Sequence, residues 1–291
     1  MNNLDKTQSV DKTNINWYPG HMAKTKREIK EKLELIDIVY EIVDSRMPLS
    51  SRIIDLDEII KNKPRILIYT KYDLCDKEIT NKFILEDEKK YPVIKTNLKE
   101  NSNILKEITS KTYDLLKHID LKRENKGLNK RNYRALVIGV PNVGKSTLIN
   151  RLNGKNVAKT GNIPGVTRNL SWIKLGKNID LLDTPGILWP KIEDEKVALN
   201  LACLSSIKEE ILDKSEISIY ILRFLEEYYP KLLEDKYKIN KIEDDIYITL
   251  DIIGRKRGCL MKGNIVDYDK VYTIIINDFK EGKIGKITMD R

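Results

Sequence analysis

The sequence predicts a mostly parallel α/β domain followed by a small all-helical domain. Five short, β-branched apolar runs are separated by charged segments of helical length, which is typical of a parallel sheet with helices on both faces. One run leads into the glycine-rich segment Gly139–Ser146, which a strand-loop-helix unit would explain. After Trp189 the apolar residues fall at helical spacing, so we predict a sheet domain over residues 1–192 and a helical domain over residues 193–291.

The individual elements follow from these patterns. The predicted strands are Asp37–Asp44, Arg65–Thr70, Tyr91–Thr96, Arg134–Val140 and Asn178–Asp183. The predicted helical segments of the second domain are residues 193–212, 215–229, 244–258 and 267–282.

Composition narrows the class of protein. No apolar run approaches the roughly 20 residues that a membrane span needs. The first 17 residues carry acids and have no apolar core, unlike a secretory or transit peptide. Cys75, Cys203 and Cys259 are isolated, with no CxxC pair, which favours a reducing compartment over structural zinc. We therefore expect a cytoplasmic monomer without a membrane partner.

The net charge of +9 is unevenly distributed. Between Leu121 and Thr160 there are ten lysines and arginines against one acid, Glu124, and residues 254–263 add four more basic residues. Clustering of this kind is typical of RNA-binding surfaces. A biased amino-acid usage, rich in Lys, Asn and Ile, would also give a basic chain, and charge alone leaves both interpretations open.

The segment Gly139–Ser146 fits the phosphate-loop pattern GxxxxGK[ST]. Its glycines allow backbone N–H groups to surround phosphates at a helix N-terminus, where the helix dipole favours anions. Lys145 is expected to pair with the β- and γ-phosphates, and the Ser146 hydroxyl to bind Mg²⁺. The predicted nucleotide contacts in this loop are Asn142, Val143, Gly144, Lys145, Ser146 and Thr147.

Two further elements fit the phosphate end of such a site. Asp183-Thr-Pro-Gly186 ends an apolar run about 40 residues after Lys145, where a DxxG switch is expected. Asp183 would hold Mg²⁺ through water, and the Gly186 amide would sense the γ-phosphate. Thr167, in the intervening "PGVTR", is predicted as a second Mg²⁺ ligand because of its position.

The segment Thr70-Lys71-Tyr72-Asp73 is typical of a guanine reader. The Asp73 carboxylate can accept the N1–H and 2-amino protons of guanine, whereas adenine presents an acceptor at N1. Hydrogen bonds of this kind discriminate by about 10⁴–10⁵. Thr70 stands where Asn is more usual. A looser base contact is predicted from Thr96 and Asn97 after the next strand.

These motifs occur in an unusual order, with the base reader before the phosphate loop. Joining the usual chain ends through the basic linker 121–134 and opening the chain after the DxxG switch gives this order, and surface termini make such permutation possible. The sequence therefore predicts a circularly permuted P-loop GTPase domain, in which the switch runs directly into the helical domain.

The segments "NWYPGHMAK", "DSRMPLSSR" and "GRKRGCLMKG", taken with the permuted motifs, resemble the YlqF-type family of ribosome biogenesis GTPase A. The resemblance extends from about Asn16 to the end of the sequence. It implies GTP and GDP as ligands, GTP hydrolysis in late assembly of the large (50S) ribosomal subunit, and rRNA contacts through the basic surfaces. The large-subunit precursor and its rRNA are the partners that it implies.

The sequence offers two candidates for the catalytic group, His21 and Lys145. GTPases commonly orient the attacking water with a Gln after DxxG, but here the residue is Ile187. His21 either packs at a helix entry or moves toward the γ-phosphate on the ribosome, and Lys145 is the other catalytic candidate. Asn142 either tolerates the loop's backbone or ligates a monovalent cation, K⁺, beside the phosphates.

Two other classes of protein share part of this pattern. A P-loop metabolic kinase would need an acceptor pocket or lid, and the sequence shows neither. A GTP-binding, RNA-associated module with little turnover is the alternative that Ile187 favours.

Overall fold

A computed structural model of the protein describes residues 20–100, 102–154, 170–175, 178–188, 192–207 and 212–291, without the side chains of residues 20 and 21. The main sheet of the described chain has six strands in the order β3-β2-β1-β4-β6-β5. Its strands are β1 (Ile38–Asp44), β2 (Arg65–Thr70), β3 (Val93–Lys95), β4 (Tyr133–Ile138), β5 (Ser171–Leu175) and β6 (Ile179–Asp183). All pairings are parallel except that of β5 with β6. The mostly parallel α/β prediction is confirmed.

Strand β5 is the one strand of this sheet that the sequence patterns did not reveal. It lies at the edge, where it pairs with one neighbour, and most of its side chains are exposed. Trp172, for example, is 40% exposed. An edge strand of this kind carries no continuous apolar run, and the buried-strand pattern therefore cannot find it.

Both faces of the sheet are covered, as alternate residues of β2 show. Ile66 and Ile68 join the main core, whereas Leu67 and Tyr69 join a second cluster with Ile84 from a helix. Successive strand side chains point to opposite faces, so both faces need an apolar cover. This double burial explains why the strands are continuous apolar runs.

Ten α-helices surround or follow the sheet in the described chain. They are α1 (Gly20–Lys32), α2 (Leu56–Ile60), α3 (Lys77–Glu88), α4 (Ile104–Glu124), α5 (Lys145–Asn153), α6 (Glu195–Cys203), α7 (Lys214–Tyr228), α8 (Pro230–Tyr237), α9 (Ile246–Lys256) and α10 (Tyr268–Lys280). None of these helices has both the length and the apolar character needed to cross a membrane.

The second part of the chain is mainly helical rather than all-helical as predicted, and α10 packs along α7. It also carries a short antiparallel hairpin that the sequence patterns did not reveal, formed by β7 (Leu260–Met261) and β8 (Ile265–Val266). Strands of two residues are too short to show alternation. The domain boundary near residue 192 stays a prediction.

The segment after α10 returns to the sheet domain. Ile287 N donates to Leu74 O at 3.1 Å, and Met289 N donates to Arg46 O at 2.8 Å. The Asp290 carboxylate accepts from the backbone N–H groups of Leu49 and Ser50. We call residues 284–291 the docked tail, because these contacts fix it beside the ends of β1 and β2.

Candidate guanine-nucleotide site

The base-reading segment and the phosphate loop follow strands on either side of β1. Strand β2 ends at Thr70, β4 leads into Gly139, and both strands run parallel to β1. Ligands bind beyond the carboxyl ends of parallel strands in open α/β sheets. The permuted chain therefore places both elements at one edge of the sheet despite their reversed order.

The phosphate loop depends on two glycines. At Gly139 an added Cβ would lie 2.6 Å from Ile42 O, so a side chain cannot fit there. Gly144 caps α5 with φ of 106°, a left-handed conformation that favours glycine. Helix α5 then begins at Lys145, and the N–H groups of a first helical turn have no partner within the helix. Ser146 and Thr147 therefore present their amides at the mouth of the loop.

Lys145 lies across the phosphate loop rather than in solvent. Its Nζ donates to Val140 O at 2.7 Å and to Gly139 O at 3.0 Å, and the residue is 7% exposed. Burial lowers the pKa of Lys145 to about 8, although the charge of Asp183 acts in the opposite direction. An ammonium has three donors, so one N–H is left for a ligand.

Asp183 stands at the end of β6, opposite Val137 of β4. Burial raises its pKa to about 6 even though Lys145 acts to lower it. Its Oδ1 atom is buried and has no hydrogen-bond partner in the described chain. Such an oxygen is unfavourable unless a ligand or ion satisfies it.

These residues fit Mg²⁺, which is usually held by one or two protein oxygens together with waters and substrate phosphates. Ser146 lies half-buried at the start of α5, and the unpartnered oxygen of Asp183 is the kind of ligand that the ion prefers. No cluster of three His, Cys, Asp or Glu side chains that could hold a metal occurs in the described ranges. Thr167, the other predicted ligand, lies outside the described residues.

The switch segment is packed tightly against the phosphate loop. A Cβ at Gly186 would lie 2.7 Å from Pro141 atoms, so glycine is required for this approach. Thr184 Oγ1 donates to Val137 O at 2.7 Å. Ile187 is fully buried, and its N–H donates to Gly139 O at 3.2 Å. An apolar core residue in this position cannot orient a water molecule.

The base-reading segment is bonded directly to the phosphate loop. Thr70 Oγ1 lies 2.6 Å from Val143 O and 3.1 Å from Val43 O, and can donate to either. Lys71 Nζ donates to Asn142 O at 2.9 Å and to the Asp44 carboxylate at 2.7 Å. Thr70 therefore has a structural partner that the sequence did not specify.

Asp73, the predicted guanine acceptor, is half-buried. Its carboxylate makes no hydrogen bond or ion pair with other residues of the described ranges, and is therefore available to a base. Thr96 is buried and its N–H donates to Tyr69 O, while Asn97 Oδ1 accepts from Lys99 N. Asn97 is thus engaged in its own turn, and its contact with a base stays a prediction.

Asn142 has left-handed backbone geometry, with φ of 63°. Its Nδ2 donates to Ser205 O at 2.6 Å and to Leu204 O at 3.2 Å. Ser206 Oγ donates to Pro141 O at 2.6 Å. The loop after α6 therefore touches the phosphate loop directly, and these contacts favour the backbone interpretation of Asn142.

His21 lies in the first turn of α1, at residues 20–32, but its side chain is outside the described part of the chain. The interpretation of His21 as catalytic therefore stays a prediction. His118 lies on α4.

A phosphate loop, a buried switch aspartate and a guanine reader, set on a sheet in permuted chain order, define a circularly permuted P-loop GTPase. The family described as 50S ribosome-binding GTPase matches residues 134–253. The chain is 48% identical to ribosome biogenesis GTPase A of Bacillus cereus over 277 residues, which cover 95% of this chain and 93% of that one. It is 30% identical to the Thermotoga maritima protein of the same name, over 95% and 94% of the two chains.

The crystal structure of GNP-bound YlqF from Thermotoga maritima matches with a TM-score of 0.62 and 28% identity, over 92% of this chain and 98% of that one. The chain therefore belongs to the ribosome biogenesis GTPase A family, and it is a GTPase that binds guanine nucleotides.

Proposed function

We propose that this GTPase assists late maturation of the large ribosomal subunit in the cytoplasm, as a monomer that binds rRNA in a nucleotide-dependent way. The relatives named for ribosome biogenesis support a ribosomal role. The observation that carries the nucleotide dependence is the contact between Ser206 and Pro141, because it links the phosphate loop to the start of the helical part. A change at the γ-phosphate can thus reach the elements that carry the basic surface.

Two basic segments are available to rRNA. The linker exposes Lys122, Lys126 and Lys130, and the end of α9 with its hairpin exposes Arg255 and Lys262. Lysine and arginine contacts with phosphates release counterions and so dominate affinity for nucleic acids. The hairpin also exposes two apolar side chains, Met261 and Ile265.

The nucleotide dependence is tested by co-sedimentation with large-subunit precursors in the presence of a non-hydrolysable GTP analogue, GDP or neither. We expect binding with the analogue and little with GDP. Lys145→Ala serves as the control that cannot respond to the triphosphate. Equal co-sedimentation in all three states would contradict the proposal while leaving the GTPase assignment intact.

The basic residues at the end of α9 and in the hairpin can be tested without disturbing the fold. Arg257 pairs with buried Asp278 at 3.2 Å and Lys256 Nζ donates to Lys238 O, so reversing the whole Arg255–Arg257 cluster would also damage structure. Arg255→Glu with Lys262→Glu avoids both contacts. Each phosphate contact that is removed should lower the slope of log affinity against log salt concentration by roughly 0.7–0.9. An unchanged slope would show that these residues form only a solvated face.

We propose that His21 supplies the catalytic contact that Ile187 cannot. Alone, the protein should hydrolyse GTP at about 10⁻⁴–10⁻² s⁻¹, as unassisted GTPases do. On large subunits we expect a faster single-turnover rate. The His21→Ala variant should lose most of this stimulation but should still bind subunits and GTP. Equal rates for both proteins would return His21 to a packing role. A rate that subunits do not raise would favour the alternative of a binding module with little turnover.

The ion requirements follow from the same site. Mg²⁺ held by Ser146, Asp183 and Thr167 would neutralise charge on the phosphates. K⁺ at Asn142 would add positive charge beside them, as an arginine finger does. Hydrolysis in K⁺ compared with Na⁺ tests the second idea, and an equal rate in the two salts would exclude it.

A further inference from the structure

We propose that Arg46 is a positioning residue for the guanine-nucleotide site, and that it makes nucleotide affinity depend on the docked C-terminal part of the chain. Arg46 lies in the loop after β1, and none of its hydrogen bonds goes to a predicted nucleotide or Mg²⁺ ligand. Its side chain connects an ion pair beneath the base reader to the end of α10, through contacts that are buried or partly buried.

The first part of this connection is the Asp44 carboxylate, both of whose oxygens accept hydrogen bonds. Asp44, the last residue of β1, has no exposed surface. Its Oδ1 accepts from Arg46 Nε at 3.0 Å, and its Oδ2 accepts from Arg46 Nη2 at 2.9 Å and Lys71 Nζ at 2.7 Å. Burial acts to raise the pKa of Asp44, but the charges and hydrogen bonds of Arg46 and Lys71 outweigh it, and the pKa lies well below its usual value. Asp44 is therefore a fixed anion.

The second part is Lys71 itself. Lys71 has φ of 53°, a left-handed conformation that costs an L-residue about 1–2 kcal/mol. Strained backbone of this kind persists only where the surroundings hold it. Asp44 and Asn142 O hold the Lys71 ammonium, and thus set the turn that presents Asp73 two residues later.

The third part is the far side of Arg46. Its Nη1 donates to Phe279 O at 2.9 Å and to Lys280 O at 3.2 Å, the last carbonyls of α10. The guanidinium lies 4.9 Å from the centre of the Phe279 ring, and Arg46 O accepts from Met289 N of the docked tail. Arg46 is 1% exposed, and its bond to Phe279 O is buried, whereas its bond to Lys280 O is partly buried. Displacing α10 or the tail would leave Arg46 free to release Asp44.

Arg46→Lys tests this arrangement. Lysine keeps the positive charge but cannot bind the carboxylate through a planar fork and reach the α10 carbonyls together. The matched control is Arg52→Lys, because Arg52 lies in the same loop and pairs with buried Glu41 and with Asp87, away from Lys71. Both variants replace a guanidinium that pairs with a buried carboxylate, and only the first should disturb the base reader.

The readouts are GDP affinity, the ratio of GDP to IDP affinity, and the single-turnover rate at saturating GTP. For Arg46→Lys we expect a roughly tenfold weaker GDP affinity, within the 5–150-fold range typical of coupled sites. The GDP/IDP ratio should fall too, because IDP lacks the 2-amino group that a well-placed Asp73 recognises. The saturated rate should change little. An unchanged ratio, or an equal loss in Arg52→Lys, would overturn the proposal.

A measurement on the unaltered chain covers the case in which Arg46→Lys does not fold. Coupling is reciprocal, so GDP should stabilise the docked tail. Amide exchange at Ile287 and Met289 should slow on adding GDP, and by a larger factor than exchange within α9. Equal slowing in both places would reflect global stabilisation alone and would overturn the proposal.

Discussion

The base reader and the phosphate loop lie side by side, yet their polar groups are satisfied in different ways. Thr70 and Lys71 already have protein partners in the phosphate loop. Across the site, Asp183 keeps a buried oxygen without a partner among the described residues, and Lys145 donates to the loop carbonyls of Gly139 and Val140. The base side is largely complete in the free protein, whereas the phosphate side needs its ligands. Changes on the two sides should therefore have different consequences.

Lys145→Ala should have the largest effect, because it removes the buried cation of the phosphate side. Losing one member of such a charged contact costs about 3–5 kcal/mol, or roughly a hundredfold or more in GTP affinity. Titration with a fluorescent GTP analogue measures the loss, with Lys82→Ala on the exposed face of α3 as control. Unchanged GTP affinity would remove the phosphate-loop assignment.

Asp73→Asn should come next and act on selectivity. The amide keeps one acceptor and replaces the other with a donor, so guanine loses the hydrogen bond from its 2-amino group, whereas O2 of xanthine accepts from the new donor. We expect GDP affinity to fall roughly a hundredfold, because a lost hydrogen bond to a charged group costs about 1.5–3 kcal/mol, and XDP affinity to rise. Competition between GDP, XDP and ADP measures both changes. If the unaltered protein bound ADP and GDP equally, Asp73 would not be the base reader.

Asp183→Asn should separate stability from function. The folded pKa, about 6, exceeds the ordinary 3.8, so the folded state holds the proton more tightly and stability is lost as pH rises from about 4 to 6. The Asn variant avoids this loss, and the nucleotide-free protein should gain roughly 3 kcal/mol at pH 7.5 and nothing below pH 4. Its Mg²⁺-dependent GTP affinity should fall about tenfold. Thermal melts across this pH range and Mg²⁺ titrations provide the measurements, and a destabilised Asn variant would refute the idea.

Thr70→Val should have the smallest effect. It removes one hydrogen bond between the base reader and the phosphate loop, worth about 0.5–1.5 kcal/mol. GDP should therefore bind only a few-fold more weakly, with little change in its preference over XDP. A loss as large as that of Asp73→Asn would mean that Thr70 contacts the nucleotide itself.

Sequence patterns predicted the sheet and both loops because these features are local. The runs that became β1, β2 and β4 are continuous, and GxxxxGK[ST] fixes the phosphate loop within eight residues. The hydrogen-bond partners of these loops could not be predicted from the sequence, because they depend on tertiary placement. Arg46 meets Phe279 across 233 residues, and Asn142 meets Ser205 across 63. The signal that could have found Arg46 was its motif, Asp-Ser-Arg directly after a strand.

The order in which the protein is synthesised gives those long separations a kinetic meaning. Strand β1 lies at the centre of the sheet but leaves the ribosome before β4, its neighbour, and long before α10. Folding slows as contacts span more of the chain, because the loops must close before the contacts form. Until β4 has been made, β1 keeps an unpaired edge, and until Phe279 and Lys280 have been made, Arg46 lacks its outer acceptors. Newly made chains should therefore depend on protection from aggregation until the last helix is complete.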